Sequence, residues 1–174
     1  MNDRRAAGIV ARCLLGISVA LTALPTRAAV FDEHDTSRLT AVIEEIQSFE
    51  DDVRTALHHL PRNDAEQIES YAYVELNLEA AHERLNGLFM LMAVSIFTEA
   101  PADEFLILNV MHGQLLTRSK AYMVEKKDAI ASMATAHPAN DVFVTYRARA
   151  QSILGDRAVP LLDELYQRLA ELRR

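Results

Sequence analysis

"LTAVIEEIQSFEDDVRTALHHL", Leu39 to Leu60, carries apolar residues at Leu39, Val42, Ile46, Phe49, Val53, Leu57 and Leu60. Their steps of three and four follow the turn of an α-helix and gather the side chains on one narrow seam. A seam of this kind has to be laid against other helices, so the stretch by itself implies a bundle. Pro61 ends it, because proline has no N–H to continue the ladder. Asp35 or Thr36 is placed to cap its start, which gives a first helix over about 36–60.

Three further segments repeat the pattern. The second, about 63–98, opens at Asn63 with Glu66 three residues on, and its seam is Tyr71, Val74, Leu78, Ala81, Leu85, Leu88, Met92 and Ile96. The third, about 101–134, has Pro101 in its first turn and Asp103 and Glu104 where the helix dipole favours acid. The fourth, about 140–172, follows "AHPAND" with Asn140 or Asp141 as cap. Gly155 and Pro160 interrupt it, and a kink is expected near 155–160. Short connections between long amphipathic helices favour antiparallel neighbours, so the expected fold is an all-α, up-down-up-down antiparallel four-helix bundle with a kinked fourth helix. An α-solenoid would need an internal repeat, and none is apparent.

The chain has 174 residues, enough for one domain with a hydrophobic core. Its first thirty residues combine Arg4, Arg5 and Arg12 with an apolar run from Cys13 to Leu24, then Pro25 and the small residues Ala28 and Ala29. That is the anatomy of a secretory signal peptide over 1–28, cut between Ala28 and Ala29, leaving a single domain over 29–174. The apolar run is well short of the roughly 20 residues of a spanning helix. The expected location is periplasmic or secreted, without membrane association after cleavage. Cleavage also removes Cys13, the chain's one cysteine, so the remainder has no thiol for a disulfide, a thiolate metal site or a nucleophile. The whole chain has a net charge of -7, and losing the basic leader makes it more acidic. Nucleic acid is therefore not an expected partner, whereas a basic protein or a cation suits the charge.

Register arithmetic about the turn near Pro61 places Thr36 opposite Gly87. On that register the second helix runs on to Thr98, about 16 Å beyond the first at 1.5 Å per residue. The protruding segments, "GLFMLMAVSIF" and "FLILNVM", are apolar nearly all the way round. Such a helix has to be covered by something. Phe89, Met92, Ile96, Phe105, Leu108 and Met111 are accordingly the candidate contact residues, for a protein partner or for a homodimer formed through the tip of the second and third helices. Gly87 and Gly113 face away from the main seams, which suits an outer contact.

The stretch "EAAHERLNG" adds a metal candidate. Glu75, Glu79 and His82 share a polar flank of the second helix, where a divalent cation would find hard and borderline ligands. Glu79-Ala80-Ala81-His82 resembles half of the paired Glu-x-x-His motif of ferritin-like carboxylate-bridged metal proteins. The third helix has Asn109-Val110-Met111-His112 in place of the second half, and the resemblance ends there. His112 with Met92 is a candidate axial pair for a noncovalent haem. His58 and His59 sit where cationic or dipolar donors meet the last carbonyls of a helix. No Gly-rich phosphate loop, nucleophile elbow or His-Glu-x-x-His appears.

The expected function is that of an exported, non-enzymatic helical binding protein with no required cofactor. An inhibitor or immunity-type partner of another exported protein is the form that the acidity suits, and a metal- or haem-binding bundle is the alternative.

Overall fold

A computed structural model describes residues 31–62, 64–97, 102–137 and 140–171, and the signal-peptide reading of 1–28 lies outside them. The chain is an all-α four-helix bundle. Its first three rods are α1 (Glu33–His59), α2 (Ala65–Phe97) and α3 (Ala102–Ala136). The fourth is continuous but changes character along its length: α4 (Asp141–Ala150), a π-helical stretch (Gln151–Ala158) and α5 (Val159–Glu171).

α1 starts earlier than its sequence pattern implies. Asp32 is its N-cap, accepting from the Asp35 N–H at 2.9 Å while the Asp35 carboxylate accepts from the Asp32 N–H at 3.1 Å. This reciprocal capping box satisfies two of the donors that a helix start leaves free. Asp35 is thus inside the first turn rather than ahead of it. Asp64 takes the equivalent place on α2, its carboxylate accepting from the Gln67 N–H at 3.2 Å, and Asn63 lies outside the described residues. Asn140 caps α4 through the Val142 N–H at 3.0 Å.

Ion pairs show how the rods are set beside one another. Asp35 pairs with Arg168, Arg38 with Glu164, Glu45 with Arg157 and Asp52 with Arg149. Numbers rise along α1 as they fall along the fourth rod, so these neighbours run in opposite directions. Lys120 on α3 reaches Asp163 on α5 at 2.7 Å, and Arg54 on α1 reaches Glu75 on α2 at 2.7 Å. The core runs the length of the bundle, with Ile46, Phe49, Val53, Val74, Leu78, Leu85, Met92, Leu116, Met123, Leu154 and Leu165 sealed inside. Phe49, Tyr71, Phe143 and Tyr146 form an aromatic cluster near the α1–α2 turn, with Tyr146 edge-on to Phe49 and Tyr71 and Phe143 tilted against Tyr71.

Where the sequence leads one to expect a kink, the backbone widens to π geometry. The Val159 N–H donates to the Leu154 carbonyl, five residues back. Pro160 has no N–H to give. Gly155 sits in the same stretch, where an added Cβ would lie 2.5 Å from the Gln151 amide nitrogen and 3.1 Å from Lys127 Cδ on α3. The missing side chain therefore lets the fourth rod approach α3 closely. Among the described residues no helix is long and apolar enough to cross a membrane.

Candidate functional site

The distal half of the α2–α3 hairpin is covered on its inner side and open on its outer side. Phe31 lies beyond the start of α1, is 1% exposed, and stacks edge-on against His112 with ring centroids 5.4 Å apart. Because α1 begins at Glu33 and Phe31 extends its reach, the inward faces at this level are sealed: Met92 is fully buried and Leu88 nearly so. The inner cover that register arithmetic ends near Gly87 therefore reaches at least to Met92.

The candidate contact residues divide accordingly. Met92 is core and presents no surface. Phe89 and Ile96 are half-buried and packed against the core, and Leu108 is half-buried. Met111 is 52% exposed. Phe105 lies on α3, and its side chain is outside the described residues. Besides Met111, the large apolar side chains that face water at this end of the hairpin are Met90, Leu91 and Val94 on α2 and Ile107 and Val110 on α3. The signal for them was present in the sequence. These positions are apolar but off the inward seam, and helical angle rather than hydrophobicity separates them from the core.

A cleft of about 440 Å³ runs between α2 and α3 on this outer side, walled by Leu88, Leu91, Leu115 and Tyr122. Arg84 crosses it, its Nε donating to the buried Ser119 hydroxyl at 3.0 Å. Gly87 forms part of the wall, and an added Cβ there would meet nothing within 4 Å. Gly87 thus belongs to the outer surface. Gly113 is buried.

The polar flank with Glu75, Glu79 and His82 is organised around Arg54. Its guanidinium holds Glu75 at 2.7 Å, Asp51 at 3.2 Å and the nearly buried Glu50 in a further short contact. These carboxylates raise the Arg54 pKa, Glu75 first. His82 Nδ1 lies 3.5 Å from Glu50, and its Nε2 is 2.9 Å from the Asn86 amide. Glu79 is exposed. Glu75 and His82 are therefore bridged by α1 groups, and an arginine stands where a bound cation would have to stand. Among the described residues no group of three His, Cys, Asp or Glu side chains is placed to hold a metal ion.

His112 is buried, and its Nδ1 has no hydrogen-bond partner. Burial pulls its pKa down, against the opposing pull of the Leu108 and Leu91 carbonyls, so the neutral ring is favoured. Its ring is packed by Phe31, and Met92 is closed into the core. Compared with known proteins, the chain matches no family model, no curated protein and no solved structure.

Proposed function

We propose that the chain is an exported, non-enzymatic binding protein that meets another protein through the outer α2–α3 face. The observation carrying this reading is the concentration of exposed Met90, Leu91, Val94, Ile107, Val110 and Met111 at one end of one hairpin. Leaving a large apolar side chain in water forgoes about 1.5–3 kcal/mol of burial. Contiguous apolar surface on a folded domain marks an interaction site. Met90 and Met111 add adaptable thioethers to that surface. The polar clusters are accounted for by caps and ion pairs, which supports a binding role over a catalytic one. The net charge of -7 suits a basic partner, as an inhibitor or immunity-type protein of another exported protein would need.

Capture from the native compartment tests this reading. A tagged chain retains a partner, and a chain with Ile107→Lys and Val110→Glu, both at exposed positions, loses it. Equal capture by the two chains would contradict the assignment of the face. Export has its own test in N-terminal sequencing of the processed protein. A start at Ala29 supports it, and an intact Met1 contradicts it.

A further inference from the structure

We propose that the cleft between α2 and α3 binds a free, apolar monocarboxylate of medium chain length, a fatty-acid-like ligand held by its head on Arg84. This goes beyond the protein-contact reading and does not depend on it. Of the exposed side chains that carry that reading, only Leu91 also lines the cleft.

The head site is a guanidinium fixed in place and left without an anion. Arg38, Arg54, Arg149, Arg157 and Arg168 each hold a carboxylate. Arg84 holds a hydroxyl instead, donating from Nε at 3.0 Å to Ser119, which is 1% exposed. That bond pins the side chain across the cleft from α2 to α3 and leaves the two terminal nitrogens unused. Among the described residues they meet no acceptor, and Glu83, the neighbouring residue on the same cleft, forms no ion pair with them. A guanidinium presented end-on in this way matches the two oxygens of a carboxylate.

The walls select what the carboxylate is attached to. Leu88, Leu91 and Leu115 line the cleft with Arg84, and Lys126 sits 4.6 Å over the ring of Tyr122, which steadies the remaining wall. Arg84 to Leu91 spans about 10 Å along α2. An extended hydrocarbon covers that length with about eight carbons at roughly 1.3 Å each. The volume of 440 Å³ is ample for such a chain and is ordinary for a small-molecule site. Gly87 lies in the wall between Arg84 and Leu91, and nothing lies within 4 Å of an added Cβ, so the missing side chain keeps the path of the tail open.

Charge limits the head to a single negative group. The chain's net charge of -7 and the Glu83 carboxylate on the cleft both oppose a polyanion such as a nucleotide, while one carboxylate is matched by one arginine.

Calorimetric titration of the purified chain with octanoate tests the site, with octanol and octyltrimethylammonium carrying the same tail on a neutral and a cationic head. Octanoate binds at one saturable site below millimolar concentration, and the other two bind at least tenfold more weakly. Arg84→Met weakens octanoate at least tenfold. Arg62→Met, which removes a positive charge at the α1–α2 turn, leaves it unchanged. Gly87→Leu fills the path of the tail and abolishes binding, and because leucine favours a helix more than glycine does, its circular dichroism stays helical. Equal affinity for the three heads overturns the proposal, as do several weak sites in place of one, or octanoate binding that survives Arg84→Met or Gly87→Leu in a folded chain. Ile107 and Val110 do not line the cleft, so partner capture through them stands or falls separately.

Discussion

Phe31 closes over His112, ring against ring at 5.4 Å, so the first described residue of the chain is fixed to the third helix. This contact covers the inner side of the hairpin at the level of His112. It buries an imidazole whose Nδ1 lacks a hydrogen-bond partner. An apolar residue of similar volume avoids that cost, so His112→Leu should stabilise the fold by on the order of 1 kcal/mol at neutral pH.

The same histidine makes stability depend on pH. Its folded pKa is depressed below the ordinary 6.5, so the unfolded chain takes up the proton first. Stability from the neutral ring is present above about 6.5 and is lost as pH falls through the folded value. Urea titrations at pH 7 and pH 5 should show the advantage of His112→Leu growing toward acid. A constant advantage would mean that the ring is protonated without cost in the fold.

Asp35 and Arg38 lie one turn apart on α1, and each pairs with α5, yet their contributions should differ severalfold. Asp35 is fully buried, holds one half of the capping box, and accepts from Arg168 at 2.7 and 2.6 Å. Asp35→Ala removes the cap and leaves Arg168 without that partner, a loss of about 3 kcal/mol or more. Arg38 and Glu164 are one third and one half exposed, so Arg38→Ala should cost less than about 1 kcal/mol. Denaturation midpoints of the two variants decide this, and equal losses would contradict it.

Tyr146 predicts an alkaline limit. Burial first, and the neighbouring Tyr71 second, push its pKa up to about 12, whereas an unfolded tyrosine ionises near 10. Its stabilising contribution is present below pH 10 and disappears as pH rises through 12, an effect on the order of 2 kcal/mol. Tyr146→Phe should flatten that loss in thermal unfolding between pH 9 and pH 12. A slope identical to that of the unsubstituted chain would place the alkaline sensitivity elsewhere.

Helical periodicity made the rods and most of the core legible. Leu39, Val42, Ile46, Phe49 and Val53 line the interior as their spacing implies. Side-chain competition at the helix starts was less legible: Asp32 outcompetes Thr36 as cap because Asp35 can return its hydrogen bond, a reciprocity that residue type alone does not rank. That shift, with Phe31, is why the inner cover of the hairpin reaches Met92. The contact surface was legible as a region and only in part by residue, with Met111 exposed as its pattern implies. Met92 belongs to the inward stripe, while Met90 and Val94, two residues to either side, turn outward. The polar flank was misleading for a related reason. Glu75 and His82 look like ligands on one helix, but Arg54 and Glu50 arrive from another.

The central claim, that the outer α2–α3 face is occupied in the native setting, is most directly tested by methionine oxidation footprinting. Met90 and Met111 are 60% and 52% exposed, while Met92 and Met123 are fully buried and serve as internal references. Comparing the chain in its native compartment with the dilute isolated chain, Met90 and Met111 should be oxidised at least severalfold more slowly in the former, with Met92 and Met123 slow in both. Equal oxidation of Met90 and Met111 in the two settings would contradict the account.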